Sequence, residues 1–200
     1  MVEAAPPLRL GVLLSGSGRT LQNLLDRIAD GSLAAQVVVV IADREQAFGL
    51  ERARRVGIPA LCARDAAQIH ACLREHDVEL VCLAGYLRLF PIPPEYAHAV
   101  LNIHPALLPK HGGKGFYGER VHQAVLAAGD AESGCTVHLC DSEYDHGTIL
   151  VQRRVPVHPG DDAHTLAERV FAAECIAYPE AIRLWARANP RRARGGPSPA

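Results

Sequence analysis

The chain of 200 residues carries a net charge of −1, with 48% hydrophobic and 22% charged residues. Such a length and composition fit a globular protein of ordinary domain size and exclude wholesale disorder. No apolar run approaches the roughly 20 residues of a membrane span, and the acidic start followed by a short apolar run and glycines is typical of a first strand, so we expect a cytoplasmic protein without membrane contacts.

Strands and helices alternate along the chain. The apolar patterns predict strands at 8–15, 36–42, 58–62, 79–85 and 100–105, and helices at 20–31, 46–56, 65–76 and 121–129. Two late strands, 134–140 and 148–157, and a helix over 161–188 follow, the helix capped by Asp161 or Asp162 with a bend expected at Pro179. The pattern predicts an α/β fold: a doubly wound, mostly parallel, Rossmann-like sheet with an antiparallel C-terminal part and a long C-terminal helix.

A glycine-rich turn, SGSGRTL (15–21), joins the first strand to the first helix. Its backbone N–H groups and the helix N-terminus favour a phosphate, whereas a tight structural turn is the simpler interpretation. Leu21 replaces the third glycine of GxGxxG, and no Gly-Lys-Ser/Thr follows as in a P-loop. With Asp43 as a ribose-binding acid, a nucleotide-binding oxidoreductase also stays open.

Asn102 and His104 are the clearest candidates for chemistry. One residue separates them, so they lie on the same face of a predicted strand. They are at its carboxyl end, where open α/β sheets bind ligands. An amide can stabilise an oxyanion, and an imidazole can act as general acid or base. The acidic loop 141–147 is either a simple hairpin loop or brings a carboxylate onto His104. The run 83–91 predicts either core packing or a slot for an aromatic ligand.

Neither the cysteines nor the histidines indicate a metal centre. The six cysteines form no CxxC pair, and the ten histidines show no HExxH or paired Cys/His spacing, so we expect reduced thiols and no metal. Residues 189–200 are rich in Pro, Gly, Ser and Arg and predict a flexible tail, with nucleic-acid binding as the alternative. No recognition motif for nucleic acid is present, so we do not expect nucleic acid as a partner.

Several segments together resemble the folate-dependent phosphoribosylglycinamide formyltransferases, over about residues 8 to 187. The matching segments are SGSGRTLQNL (15–24), DREQAFGLERARRVGIP (43–59), LAGYLRLF (83–90), LNIHPALLPK (101–110), DSEYDHGTILVQ (141–152) and AECIAYPEAI (173–182). Asn-Ile-His-Pro is shared with other formyltetrahydrofolate enzymes, whereas its combination with the glycine loop and AFGLERA is more specific. The resemblance implies formyl transfer from 10-formyltetrahydrofolate to the amine of glycinamide ribonucleotide, in purine synthesis and without a metal.

The resemblance also implies roles for individual residues. His104 would be the acid or base, Asn102 would stabilise the oxyanion, and Asp145 would orient His104 and hold it cationic. The amides of Gly18, Arg19 and Thr20 would bind the substrate phosphate, and Glu174 the ribose or glycinamide part. The implied folate-binding residues are Leu87, Arg88, Leu89, Phe90, Asn102, Asp141, Ser142, Glu143, Tyr144 and Asp145. Residues 1–188 would form a single formyltransferase domain, with a phosphate-binding half at 8–100 and a catalytic and folate-binding half at 101–188.

Two departures from the family pattern leave alternatives open. Thr20 stands where the family usually has Asn, so a side-chain contact to the substrate is in doubt. The glycine-rich stretch 110–118 is longer than usual and is either a lid, in which Lys114 or Tyr117 touches substrate, or a plain surface loop. Formyltetrahydrofolate hydrolysis and transfer to another acceptor are alternative activities, and either a monomer or a homodimer is expected.

Overall fold

The computed structural model describes residues 6–190, which divide into two compact units. The first unit comprises 6–100 together with 182–190, and the second comprises Leu101–Ala181. The division after residue 100 coincides with the predicted boundary between the two halves, but residues 182–188 group with the first unit. The single-domain organisation stays a prediction, and residues 191–200 of the predicted tail lie outside the described residues.

The first unit is built on four parallel strands. In chain order these are β1 (Leu8–Leu14), β2 (Ala35–Ala42), β3 (Ala60–Cys62) and β4 (Leu80–Leu83). The helices between them are α1 (Arg19–Ala29), α2 (Phe48–Arg55) and α3 (Ala66–Glu75), and a 3-10 turn over Pro94–Tyr96, which the sequence did not predict, follows β4. The spatial order is β3-β2-β1-β4.

This strand order predicts a ligand-binding crevice within the first unit. The chain moves outward from β1 to β3 and then returns to the other side of β1 as β4. Open α/β sheets bind ligands at such a reversal, outside the carboxyl ends of the strands. The carboxyl end of β1 leads into the glycine-rich turn, and that of β4 leads into the apolar run 83–91. Both segments that the sequence singled out in this unit therefore begin at the reversal of strand order.

The second unit contains three antiparallel strands and a helix. They are β5 (Val100–His104), which begins at the last residue of the first unit, α4 (Glu119–Ala127), β6 (Glu132–Leu139) and β7 (Ile149–Pro156). β6 pairs with both β5 and β7, which confirms the predicted antiparallel pair. In the β5–β6 register Asn102 lies opposite His138, and His104 lies opposite Thr136. The register therefore places a polar residue of β6 opposite each of the two candidate residues.

A single long helix, α5 (Ala163–Ala188), ends the described chain. Asp162 caps it, because Thr165 N–H donates to Asp162 Oδ1 at 2.7 Å and Asp162 N–H donates to Thr165 Oγ1 at 2.9 Å. Pro179 lies inside the helix, as predicted. Every predicted strand and helix is present, although β3 and β4 are shorter than expected. No helix within residues 6–190 is long and apolar enough to span a membrane.

Candidate functional site

The glycine-rich turn lies at the reversal in the first unit, where it joins the segment after β4. Ser15 N–H donates to the Gly85 carbonyl at 3.0 Å, and Leu87 N–H donates to Ser15 Oγ at 2.9 Å. Gly18 adopts the left-handed conformation (φ 70°, ψ 30°) immediately before α1, which a residue with a Cβ adopts only at a cost. Hydrogen bonds therefore fix the turn at Ser15, and a conformation that favours glycine fixes it at Gly18.

Helix α2 supports this turn from the side. Gly49 N–H donates to the Gly16 carbonyl at 3.1 Å, and a Cβ on Gly18 would lie 2.6 Å from Gly49 Cα. Arg52 Nε donates to the Ser17 carbonyl at 2.9 Å. The matched segment AFGLERA thus contributes a glycine for close approach and an arginine that holds the turn. These two supporting roles were missed by the sequence reasoning.

The predicted phosphate-binding amides of Gly18, Arg19 and Thr20 lie at the N-terminus of α1. The first turn of a helix directs N–H groups outward, and its dipole favours an anion. Within the described chain, no side chain caps this helix and no acidic residue occupies its first turn. The local electrostatics therefore favour a phosphate at the turn.

The residues after β4 differ in their exposure. Leu87 is half-buried, whereas Arg88 and Leu89 are exposed. Phe90 is buried, and its ring packs edge-on against His70 with centroids 5.5 Å apart. Arg88 and Leu89 are therefore accessible to a ligand, whereas the Phe90 ring is part of the packing beneath them.

Asp43, at the end of β2, belongs to the oxidoreductase interpretation. Its side chain is 6% exposed, and its Oδ1 lies 3.9 Å from Arg44 Nε. An acid that binds ribose must present its carboxylate to the ligand. The burial of Asp43 therefore does not favour that interpretation.

Asn102, His104 and Asp145 lie together in the second unit. Oδ1 of Asp145 is 3.3 Å from His104 Nδ1 and accepts a hydrogen bond from Asn102 Nδ2 at 3.2 Å. His104 is 3% exposed, and the Asp145 side chain is 10% exposed. A buried imidazole, an amide and a carboxylate within hydrogen-bond reach form a constellation suited to proton transfer and oxyanion stabilisation. The predicted contact of the 141–147 loop with His104 is present.

His138 completes this cluster and was missed by the sequence reasoning. Its Nδ1 donates to the Leu139 carbonyl at 3.1 Å, so its Nε2 accepts from Asn102 Nδ2 at 3.1 Å. Both N–H groups of the Asn102 amide thus have acceptors, His138 and Asp145. The signal in the sequence was the polar alternation of Thr136 and His138 within an apolar strand.

The loop after β5 adds main-chain contacts to the cluster. The His111 carbonyl accepts from His104 Nε2 at 2.8 Å, and Gly113 N–H donates to Asp145 Oδ2 at 2.9 Å. Both oxygens of the Asp145 carboxylate and both ring nitrogens of His104 therefore have polar neighbours. Further along this loop, Lys114 and Tyr117 are exposed, and their predicted contact with substrate stays a prediction.

The pKa shifts in the cluster follow from burial and charge. Burial opposes ionisation of Asp145, but the hydrogen bond and charge of His104, with the Gly113 N–H, outweigh it and lower the pKa of this carboxyl. Burial lowers the pKa of His138, which keeps that ring neutral. Burial, and then the nearby charge of His104, lower the pKa of His122. Asp145 is thus held as an anion, and the neighbouring His138 ring is kept neutral.

The rest of the acidic loop is open to solvent. The exposed residues there are Ser142, Glu143, Tyr144, His146 and Gly147. Asp141 Oδ2 forms a short contact with His146 Nδ1, and Asp141 Oδ1 accepts from Glu143 N–H at 2.9 Å. The hydrogen bond that His146 donates to Asp141, and then the charge of that carboxylate, raise the pKa of His146. The loop is therefore internally ordered while its outer side chains stay accessible.

Glu174 lies on α5 and is half-buried. Burial and then the Glu174 charge raise the pKa of the Cys135 thiol to about 12, which places Glu174 near the buried centre of β6. Its predicted role with the ribose or glycinamide stays a prediction. Across residues 6–190, no group of three or more His, Cys, Asp or Glu residues could hold a metal ion.

Comparison with known proteins gives a consistent set of relatives. A family model described as "Formyl transferase" matches residues 8–182. The chloroplastic phosphoribosylglycinamide formyltransferase of Vigna unguiculata is 40% identical over 185 residues, covering 87% of this chain and 59% of that protein. The trifunctional purine biosynthetic protein adenosine-3 of Drosophila pseudoobscura pseudoobscura is 40% identical over 200 residues, covering 94% of this chain but 14% of that protein. The chain thus spans a small part of the trifunctional relative.

Solved structures resemble the chain over most of its length. Glycinamide ribonucleotide transformylase 1 from Symbiobacterium toebii is 41% identical, with a TM-score of 0.85 over 94% of this chain and 92% of that chain. Phosphoribosylglycinamide formyltransferase from Anaplasma phagocytophilum is 37% identical, with a TM-score of 0.80 over 90% and 87%. These likenesses confirm the predicted fold class, including the antiparallel C-terminal strands and the long C-terminal helix.

Proposed function

Because the chain belongs to the formyl transferase family, we propose that it transfers a formyl group from 10-formyltetrahydrofolate to the amine of glycinamide ribonucleotide. The observation that carries the proposal is the buried constellation of Asn102, His104 and Asp145. The relatives named for this activity support the choice of acceptor. The resemblance to the folate-dependent formyltransferases supports a formyl donor derived from folate.

The reaction needs a stabilised oxyanion and a proton for the leaving group. The substrate amine attacks the formyl carbon, and the C–N bond that forms creates a tetrahedral oxyanion. The bond to folate N10 then breaks, the attacking nitrogen loses a proton, and N10 gains one. A preorganised donor to such an oxyanion lowers the barrier by about 3–4 kcal/mol in comparable enzymes.

Each residue of the constellation has a role in these reaction steps. The His104 imidazolium stabilises the oxyanion and supplies a proton toward N10, directly or through water. Asp145 favours that imidazolium, because its carboxylate is ionised beside the ring. One N–H of the Asn102 amide changes its acceptor from Asp145 to the oxyanion, while the other N–H stays hydrogen-bonded to His138. His138 therefore fixes the amide plane of Asn102.

The remaining assignments extend the proposal to substrate binding. The amides of Gly18, Arg19 and Thr20 bind the phosphate, supported by the helix N-terminus. Glu174 binds the ribose or glycinamide part. The folate ring system is assigned to Leu87, Arg88, Leu89 and Phe90 and to residues 141–145. The exposed residues among these are Arg88, Leu89, Ser142, Glu143 and Tyr144. The cytoplasmic location and a monomeric or homodimeric state stay predictions.

A direct transfer assay tests the proposal. The protein is mixed with 10-formyl-5,8-dideazafolate and glycinamide ribonucleotide, and release of the deformylated folate is followed by absorbance. We expect release that requires both substrates. Release without glycinamide ribonucleotide would indicate a hydrolase instead. Folate binding without release would redirect the search to another phosphorylated amine, and a thermal shift with NADH but not with folate would favour an oxidoreductase.

A further inference from the structure

Segment 110–113 contacts the reacting cluster through its main chain. The carbonyl oxygen of His111 accepts from His104 Nε2 at 2.8 Å, and Gly113 N–H donates to Asp145 Oδ2 at 2.9 Å. A carbonyl oxygen can only accept, so Nε2 carries a proton in every state of the ring that keeps this bond. The proton that His104 gains or loses in the reaction is therefore the one on Nδ1, the nitrogen 3.3 Å from Asp145.

The position of the His111 carbonyl depends on an unusual backbone conformation. His111 has φ 53°, in the left-handed region that residues with a Cβ adopt at a cost. Such a conformation persists where surrounding contacts over-determine it. The side chain of His111 must therefore be held by a partner for its carbonyl to stay on His104.

Asp130 is that partner. It follows α4, and its Oδ2 accepts from His111 Nε2 at 2.8 Å while its Oδ1 accepts from Lys110 Nζ at 2.7 Å. The two hydrogen bonds, from His111 first and then from Lys110, lower the pKa of the Asp130 carboxyl and keep it an anion at neutral pH. One carboxylate thus clamps two consecutive residues of the segment that reaches the cluster.

We propose that Asp130 is a positioning residue: by holding Lys110 and His111 it fixes the His111 carbonyl and so assigns the exchangeable proton of His104 to Nδ1. The inference rests on the proposed function for its effect on turnover. Its effect on the His104 ring is independent of turnover. Asp130 itself contacts neither Asn102 nor the substrate in this assignment, and it acts through the main chain of the segment.

Replacement of Asp130 removes little packing. Its side chain is 18% exposed and lines a cavity of about 470 Å³. The Asp130→Ala variant therefore tests the clamp without opening the core, and Asp130→Asn keeps one acceptor oxygen. Glu132 provides a matched control, because it is an exposed carboxylate two residues away whose partner is Arg154 at 2.7 Å. Surface pairs of this kind contribute little to stability.

The test combines histidine nitrogen NMR with kinetics on the full chain. Two-bond ¹H–¹⁵N correlations report which nitrogen of His104 carries the proton in the free protein. We expect Nε2–H in the wild type and a mixture of tautomers in Asp130→Ala. We also expect kcat to fall by about 10- to 100-fold, since small misplacements near reacting atoms cost up to that much. Asp130→Asn should be intermediate, the KM values should change little, and Glu132→Gln should match the wild type.

Two results would overturn the inference. One is an unchanged His104 tautomer in Asp130→Ala, whatever happens to kcat. The other is an equal loss of kcat in Glu132→Gln, which would indicate a general effect of surface charge. A wild type that binds folate but transfers no formyl group would instead contradict the proposed function, and the NMR readout would still decide the role of Asp130.

Discussion

Asn102 donates a hydrogen bond to Asp145 Oδ1 across 3.2 Å, although the two residues lie 43 positions apart in the chain. The same oxygen is 3.3 Å from His104 Nδ1, so one carboxylate oxygen orients both an amide and an imidazole. Asp145 itself has φ 52°, a left-handed conformation that aspartate tolerates better than most residues. The acidic loop therefore folds back at the residue that the chemistry requires.

Replacement of His104 tests the proton carrier. His104→Ala should lower kcat by about 100-fold or more, because general acid–base groups contribute in that range. Steady-state kinetics measure the change, and circular dichroism checks that the fold is intact. Turnover near the wild-type level would remove His104 from its assigned role.

Replacement of Asp145 tests the anion beside His104. Asp145→Asn should lower kcat by at least about 10-fold, because a neutral amide stabilises the imidazolium less.

The lowered pKa of Asp145 adds a stability test. The ionised carboxyl stabilises the folded state above the unfolded pKa of about 3.9, and this contribution is lost as pH falls through the lower folded value. The difference in free energy of unfolding between wild type and variant should therefore shrink toward acid; a constant difference would argue against the pairing.

Replacement of Gly18 tests the phosphate turn. Gly18→Ala should raise the KM for glycinamide ribonucleotide more than that for the folate, and should lower the melting temperature. The new Cβ would lie 2.6 Å from Gly49 Cα, and the left-handed φ of 70° costs about 1–2 kcal/mol for a residue with a Cβ. Gly16→Ala is the control for stability, since a Cβ there has no described heavy atom within 4 Å. Equal rises in both KM values would indicate a folding defect.

His138 should make the protein sensitive to acid. Its pKa is lowered by burial in the folded state, so the unfolded chain binds a proton at this residue more readily. The free energy of unfolding should fall as pH drops below about 6.5, by up to about 1.4 kcal/mol per pH unit for one proton. His138→Gln should reduce this slope, as measured by urea unfolding at several pH values. The exposed His164, changed to Gln, is the control; identical slopes in wild type and His138→Gln would contradict the assignment.

The sequence was sufficient for the elements and for every side chain of the cluster except His138. Period-two alternation places Asn102 and His104 on one face of a strand, and a loop of acidic residues supplies a carboxylate for them. His138 was not predicted, because a polar residue in a strand is informative only once the register is known. That register follows from how residues 105–131 connect β5 to β6, which local patterns do not specify.

Contacts between residues far apart in the chain explain the other omissions. The approach of Gly49 in α2 to Gly18, the residue before α1, leaves no periodic pattern in the sequence. The contact of Asp130 with Lys110 spans 20 positions and two loops. Such pairs depend on where a turn ends in space, whereas composition and spacing report mainly on local structure.

The path of α5 has a consequence for synthesis on the ribosome. Tyr178 Oη donates to the Leu101 carbonyl within the second unit, and seven residues later Trp185 Nε1 donates to the His98 carbonyl within the first. Chains emerge from the N-terminus at roughly 5–20 residues per second. The first hundred residues therefore leave the ribosome well before the indole of Trp185, and the hydrogen bond to His98 forms only after that residue has been synthesised.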